Sequence, residues 1–317
     1  VYKRQPQYLS HHGSIMIDLT TKISTLTLKN PLILASGILD EDAQTMQRIF
    51  FNGAAAVVTK SIGTTPRTGY PNPTLLDLDH CLINAMGLPN PGIDNYLEEI
   101  NQLTTQNIPT IASIYADSPE EFTTLATKMQ TAGVNAIELN LSCPHGQQYG
   151  LPVGCDPSLI QDIITSVKHN TTIPIFPKLS PNVTDIVSIA TAAADAKADG
   201  IVAINTIKAM KIDLDLQKPI LGNKIGGLSG HALKPIGIRC VYEIAQHLNL
   251  PLIGVGGITN GEDALEYLMA GATAVQIGSG IYTRGIDIFT KIEKEMTTWM
   301  KNHHYTNLTE IIGAALP

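Results

Sequence analysis

The chain has 317 residues, 44% of them apolar and only 15% charged, against roughly 25% charged in an average soluble domain. Such a chain can bury a large core or cover surface by oligomerising. Lys plus Arg number 21 against 28 Asp plus Glu, a net charge of −7 without a basic block, which argues against a nucleic-acid partner. No apolar run reaches the roughly 18 residues of a membrane-spanning helix, and the four cysteines (Cys81, Cys143, Cys155, Cys240) form no C-x-x-C pair. That spacing suggests neither a zinc site nor an iron–sulfur cluster, and it fits reduced thiols in a cytoplasmic enzyme.

Residues 1–15 are polar and unpatterned and lack the apolar stretch of a signal peptide. They read as a disordered or non-native leader, with Met16 directly before a strand-like pattern and residues 16–317 forming one domain. Eight apolar runs follow: Pro31–Gly37, Ala55–Ile62, Pro109–Tyr115, Ala136–Cys143, Ile173–Ser180, Gly200–Thr206, Pro251–Gly257 and Ala274–Gly280. Their apolarity is continuous rather than alternating, the mark of parallel strands buried on both faces. Between and after them the helical spacing predicts helices over Glu41–Phe51, Ile93–Thr104, Pro119–Thr131, Pro157–His169, Thr184–Lys197, Pro235–Leu248, Glu262–Ala270 and Asp287–Asn302. Ser118, Asp156 and Asn260 stand as start signals, and Gly53, Gly133 and Gly271 as stops.

Eight strand–helix pairs in one chain predict an α/β fold, a (β/α)8 TIM barrel with insertions at its C-terminal face. The rival is a doubly wound open sheet, weakened because no G-x-G-x-x-G follows a strand. Two connections, 63–92 and 207–234, are far longer than the usual two to six residues or so, and both leave the C-terminal ends of strands, where barrel active sites sit.

Residues at those strand ends converge on one mouth. In order they are Ser36 and Gly37, Lys60 and Ser61, Ser113, Asn140 and Cys143, Lys178, Asn205 and Thr206, Gly256 and Gly257, Gly278 and Ser279. The paired small residues after strands seven and eight suit a phosphate, since glycine lets backbone N–H groups approach it and a following helix adds a favourable dipole. Lys60 and Lys178 end apolar strands, and a buried unpaired charge is costly. No other residue of the strand-end set is acidic, so an anionic ligand is the simpler partner for both. Cys143, before Pro144 and among polar strand-end residues, reads as a base if lysines or a helix N-terminus help its thiolate. The other three cysteines read as structural, Cys240 on the apolar face of a helix. Three amides, Asn84, Asn140 and Asn205, suit a ring edge with alternating C=O and N–H groups, such as a pyrimidine or imide. His145 and the pair His11-His12 lack metal-ligand spacing, so no metal is assigned.

With these residues in place, eight ordered motifs resemble the class 1 dihydroorotate dehydrogenases from about Met16 to the end. They are ASG (Ala35–Gly37), TKS (Thr59–Ser61), NAMGLPNPG (Asn84–Gly92), NLSCP (Asn140–Pro144), KLSPNVTDI (Lys178–Ile186), INT (Ile204–Thr206), GGLSG (Gly226–Gly230) and GVGGI (Gly254–Ile258). The resemblance implies an FMN-containing barrel that oxidises (S)-dihydroorotate to orotate in de novo pyrimidine biosynthesis. Cys143 would remove the C5 proton while the C6 hydride passes to the flavin. FMN would be held by Ser36, Lys60, Ser61, Ser113, Asn140, Lys178, Ile204, Gly230, Gly256, Gly257, Gly278 and Ser279. Substrate would be held by Lys60, Asn84, Met86, Gly87, Leu88, Asn140, His145, Asn205 and Thr206. Lys178 would stabilise the anionic reduced ring, and the 144–152 segment would act as a lid over Cys143.

Cysteine instead of serine at the base position separates the chain from the membrane-bound class. GGLSG and the Asn205–Lys224 stretch look like the NAD-linked type, which implies a homodimer core joined to an electron-transfer subunit carrying FAD and a 2Fe-2S cluster, a heterotetramer. The chain departs from the family at His145, where Asn is common, and at Ser113, where the NAD-linked type often has Asn. CPHG also resembles the pyrimidine-reducing domain of dihydropyrimidine dehydrogenases. That domain's uracil or thymine chemistry, a fumarate-dependent dihydroorotate dehydrogenase and a flavin-binding scaffold without activity are the alternatives.

Overall fold

Along a strand, alternate residues face opposite sides of the sheet, and this alternation sorts the eight apolar runs into two cores. The computed structural model describes residues 17–141 and 153–317. Among them, eight parallel strands close a barrel: β1 (Leu32–Leu34), β2 (Ala56–Val58), β3 (Thr110–Ile114), β4 (Ala136–Asn140), β5 (Ile175–Leu179), β6 (Ile201–Ala203), β7 (Leu252–Val255) and β8 (Ala274–Ile277). Each strand pairs with the next in sequence, and β8 pairs back onto β1 through Val275↔Leu32. The open-sheet rival is thereby excluded.

Outward residues such as Ile137, Leu139 and Val275 join the large cluster under the helices. Inward residues, including Ile33, Ile111, Ala136, Phe176 and Ala274, form a second cluster inside the barrel. An antiparallel hairpin, Thr21–Ile23 with Leu26–Leu28, adds Ile23, Leu26 and Leu28 to that inner cluster. Its Thr21 hydroxyl donates to the carbonyl of Thr273, just before β8, so the hairpin seals the N-terminal end of the barrel with apolar side chains. Function is left to the other end.

The helices are α1 (Ala43–Phe51), α2 (Ile93–Thr105), α3 (Pro119–Thr131), α4 (Pro157–Asn170), α5 (Ile186–Asp195), α6 (Lys234–His247), α7 (Gly261–Met269), α8 (Gly280–Arg284) and α9 (Ile288–Asn302). The expected start signals act as caps: Ser118 accepts from Glu121 N–H, Asp156 from Ser158 and Leu159, and Asn260 from Asp263 in a reciprocal capping box. Gly53, Gly133 and Gly271 follow α1, α3 and α7 with φ of 111°, 89° and 111°, conformations that favour glycine. Cys240 is fully buried in α6, as its spacing predicts.

Two features go beyond the sequence reading. The long connections carry strands of their own: Leu75–Leu78, Cys81–Asn84, Ile207–Ala209 and Gly226–Ser229 join in one four-stranded antiparallel sheet over the mouth. These strands are short and half-exposed, and the central pairing Asn84↔Gly227 joins residues distant in sequence. No local pattern encodes it. The second feature is the five-residue α8, which follows β8 and lies just past the predicted run.

Candidate active site

The strand tips do meet. Asn140, at the end of β4, donates from Nδ2 to Ser61 Oγ at 3.1 Å. Ser61 Oγ lies 2.8 Å from Ser113 Oγ and 3.4 Å from Ser36 Oγ. On the other side Asn205 Nδ2 donates to Asn140 Oδ1 at 3.4 Å, and Asn205 Oδ1 accepts from Thr206 N–H at 2.8 Å. Thr206 in turn packs against Gly227, where a Cβ would collide with its hydroxyl. Gly227 stands opposite Asn84, whose Nδ2 donates to the Gly227 carbonyl at 3.4 Å. Five strands and the overlying sheet thus bring Asn84, Asn140, Asn205, Thr206, Ser36, Ser61 and Ser113 into one connected set. Ser113 is fully buried and belongs to the layer beneath the mouth.

The 84–92 loop is held from behind by Asn90. Its Oδ1 accepts from Gly63 N–H at 3.3 Å and Gly92 N–H at 2.9 Å, while Nδ2 donates to the Leu88 carbonyl at 2.9 Å and Tyr115 Oη at 2.8 Å. This saturates a nearly buried amide. It also fixes Gly87 and Leu88, both at positive φ (75° and 55°), and leaves Met86 40% exposed at the loop tip. Asn90 escaped the sequence reading, although it lies inside the NAMGLPNPG motif, because its role is to satisfy backbone rather than to face the mouth.

The corner after β7 and β8 is built for close backbone approach. Gly256 and Gly257 have φ of 132° and 69°. A Cβ on Gly257 would lie 2.7 Å from the Gly230 carbonyl and 2.9 Å from Lys234 N, so this corner packs directly on the Gly230–Lys234 backbone and only glycine fits. Val255 and Gln276 are register partners, which brings the Gly278-Ser279 end of β8 alongside, and α8 begins at Gly280. A short extra helix after β8 is the usual phosphate position of this fold. Ile204, buried between β6 and β7, donates its N–H to the Val255 carbonyl at 3.2 Å. The corner is braced from outside by Asp263, which accepts from Lys234 Nζ at 2.7 Å and from Thr259 Oγ1 at 2.7 Å. Burial acts to raise the Asp263 carboxyl, but these donors outweigh it and hold it below the usual range.

The two lysines require a correction. Both have carboxylate neighbours within the chain. Lys178 Nζ lies 3.4 Å from Glu138 Oε1, with side-chain exposures of 7% and 0%; Lys60 Nζ lies 3.7 Å from Glu41 Oε1, which is 75% exposed. The strand-end set misses Glu138 because it lies one layer deeper, two residues before Asn140 on the same inward face of β4. Asn140 is the register partner of Lys178, so Glu138 is its diagonal neighbour. Gln276 of β8 completes this layer and was missed for the same reason. The parity of Glu138 with Asn140 was the signal available in the sequence.

Asp40, after the Ser36-Gly37 tip, was missed too. It is 1% exposed, its Oδ2 accepts from Gly37 N–H at 2.5 Å, and its Oδ1 has no partner among the described residues. Burial pushes its carboxyl above the usual range, against the pull of Lys60 and the Gly37 N–H. Cys143, His145 and the 144–152 segment lie outside the described residues, as does the 1–15 leader. Among the described residues, no three His, Cys, Asp or Glu side chains form a metal-sized cluster, and no helix is long and apolar enough to cross a membrane.

A closed parallel barrel ringed by helices, with amides, hydroxyls and lysines gathered at the C-terminal ends of its strands, defines the TIM-barrel class of protein. The sequence profile of one family, dihydroorotate dehydrogenase, matches residues 18–300. A relative from Thermoplasma acidophilum is 51% identical over 301 residues, 95% of this chain and 100% of its own length. One from Methanocaldococcus jannaschii is 51% identical over 301 residues, covering 94% and 98%, and one from Pyrococcus abyssi is 48% identical over 291 residues, covering 92% and 97%. All three carry the name dihydroorotate dehydrogenase B (NAD(+)), catalytic subunit. The chain belongs to the dihydroorotate dehydrogenase family, flavin-dependent oxidoreductases that act on a CH–CH group.

Proposed function

We propose that the chain is the FMN-carrying catalytic subunit of a cytoplasmic, NAD-linked dihydroorotate dehydrogenase, passing electrons to a partner subunit that bears FAD and a 2Fe-2S cluster, in a heterotetramer around a homodimer core. One observation carries the substrate reading: the joined amides of Asn140 and Asn205, next to Thr206 and Asn84, offer both donors and acceptors to a ring that alternates C=O and N–H. The partner rests on the words "catalytic subunit" in the relatives' names and on the absence of cluster-type cysteine spacing in this sequence.

The residues fit a flavin mononucleotide. At Gly230, Gly256 and Gly257, beside Gly278, Ser279 and α8, the backbone runs too close to its neighbours for a Cβ, so a phosphate there would meet backbone N–H groups rather than side chains. Ser36, Lys60, Ser61, Asn140, Lys178 and Ile204, with Ser113 in the layer beneath, would hold the rest of the group. When bound, FMN supplies the hydride acceptor. The chain's own residues do the rest. Asn84, Met86, Gly87, Leu88, Asn140, His145, Asn205 and Thr206 hold the ring in one orientation, and orientation itself lowers the barrier. Lys60 meets the substrate carboxylate. Cys143 takes the proton from C5.

Anaerobic dihydroorotate should bleach the visible absorbance of the purified flavoprotein, and NAD should reoxidise it only when the partner subunit is present. Bleaching by dihydrouracil alone, or reoxidation by fumarate without a partner, would overturn this reading.

A further inference from the structure

Inside the barrel, between the apolar plug and the mouth, Lys178 belongs to a polar layer whose other two members, Glu138 and Gln276, have no part in the substrate or cofactor roles above. Glu138 is 0% exposed, Gln276 1% and Lys178 5%. Gln276 Nε2 donates to Glu138 Oε2 at 2.7 Å, Lys178 Nζ donates to Gln276 Oε1 at 3.0 Å, and Lys178 Nζ lies 3.4 Å from Glu138 Oε1. The three side chains close a ring drawn from β4, β5 and β8. A second link runs outward: Ser113 Oγ donates to Glu138 Oε1 at 3.4 Å and touches Ser61, which holds Asn140. Below the ring is Phe176, the register partner of Glu138 and part of the dry inner cluster.

A carboxylate in such a place is expensive to bury, and the same volume filled by an apolar side chain is often at least as stable. Packing alone therefore does not explain Glu138. Its contacts do: it is the counter-ion of the lysine that ends β5, and through Gln276 it fixes which way that lysine points. We propose that Glu138 is a positioning residue that offsets the charge of Lys178 and so sets how strongly the mouth stabilises an anionic, reduced flavin. The proposal rests on Lys178 facing the flavin, as in the function proposed above. A lone buried ammonium would bind the reduced anion strongly and release its electrons reluctantly. The paired one holds it less strongly, which suits a subunit that must hand electrons onward.

The test uses the full-length flavoprotein and the equilibrium potential of its bound flavin, not turnover. Glu138→Gln leaves Lys178 without its counter-ion at nearly unchanged volume. The expected result is a potential shifted upward, with the reduced form favoured about tenfold or more over wild type, the scale of one charge at protein-like dielectric. Glu138→Asp, which withdraws the carboxylate while keeping its charge, should shift it the same way but less, and serves if the glutamine variant does not fold. In a Lys178→Met background, with FMN supplied in excess, Glu138→Gln should raise the potential by clearly less, because only the direct effect of its own charge then remains. An unchanged or lowered potential in both single variants would overturn the proposal, as would an upward shift of undiminished size without Lys178. If wild-type protein binds no FMN, the flavin reading falls first, and the proposal with it.

Discussion

Lys60 and Lys178 look alike in sequence, each a lone cation at the end of an apolar run, yet they sit in different electrostatic settings. Lys178 is sealed in the barrel, with Glu138 and Gln276 held rigidly against it. Lys60 is nearly as buried, but its nearest carboxylate, Glu41, is three-quarters in water. One charge is matched by a fully buried carboxylate; the other is paired with an exposed one and also feels the buried Asp40 carboxyl nearby. In the proposed site this difference gives the lysines separate tasks. Lys178 sets a fixed electrostatic background, and Lys60 keeps its charge for an incoming carboxylate.

If both lysines serve anions, neither is the base, and the largest effect belongs elsewhere. Cys143→Ala should slow flavin reduction by dihydroorotate roughly 10²–10⁴-fold, the usual worth of general-base catalysis, while flavin content stays at wild-type level. Stopped-flow reduction under anaerobic conditions measures it; wild-type speed would return one of the lysines to candidacy.

Lys178→Ala strands Glu138 as an uncompensated buried charge, so unfolding free energy should fall by about 3–5 kcal/mol. Replacing both partners with apolar residues of similar size, Lys178→Met with Glu138→Leu, should recover most of that loss in urea denaturation. A single variant as stable as wild type would remove the contrast between the two lysines.

Asp40 sharpens the comparison from the Lys60 side. Its carboxyl is raised in the folded protein by burial, so the native state holds a proton that the unfolded chain has released. Stability therefore falls as pH rises from the ordinary carboxylate range through the native value, and the loss is complete above it. Asp40→Asn should be more stable than wild type at neutral pH, with the gain shrinking as pH drops into that ordinary range. Denaturation curves across pH 4–8 test it, and an identical pH slope in both proteins would contradict it. The smallest effect is expected from Glu41→Gln. An exposed ion pair contributes about 0–1 kcal/mol, so thermal unfolding should barely move; a loss near that of Lys178→Ala would mean that the two lysines are equivalent.

Much of this architecture is legible in the sequence. The eight strands were legible because both of their faces are buried, which makes each run apolar throughout. The helices were legible because their ends carry caps such as Ser118 and Asp156, whose hydrogen bonds are local. The Gly256-Gly257 corner announced itself too, since positive φ favours glycine whatever the tertiary context. Asn140, Asn205 and Thr206 stand at strand ends that the sequence marks, and the barrel brings them together.

The carboxylate partners were hidden. Glu138 sits in a run that reads as apolar, and its partners Lys178 and Gln276 come from strands β5 and β8, on different sides of the barrel. The sheet over the mouth was hidden likewise, because Asn84 and Gly227 pair across a long stretch of chain. Periodicity, caps and turns are written in near neighbours, so the chain alone determined its strands, its helices and the identity of its strand-end chemistry. Which charges meet depends on how the strands close into a ring, and only that closure turned Lys178 from a cation awaiting a ligand into one already paired with Glu138.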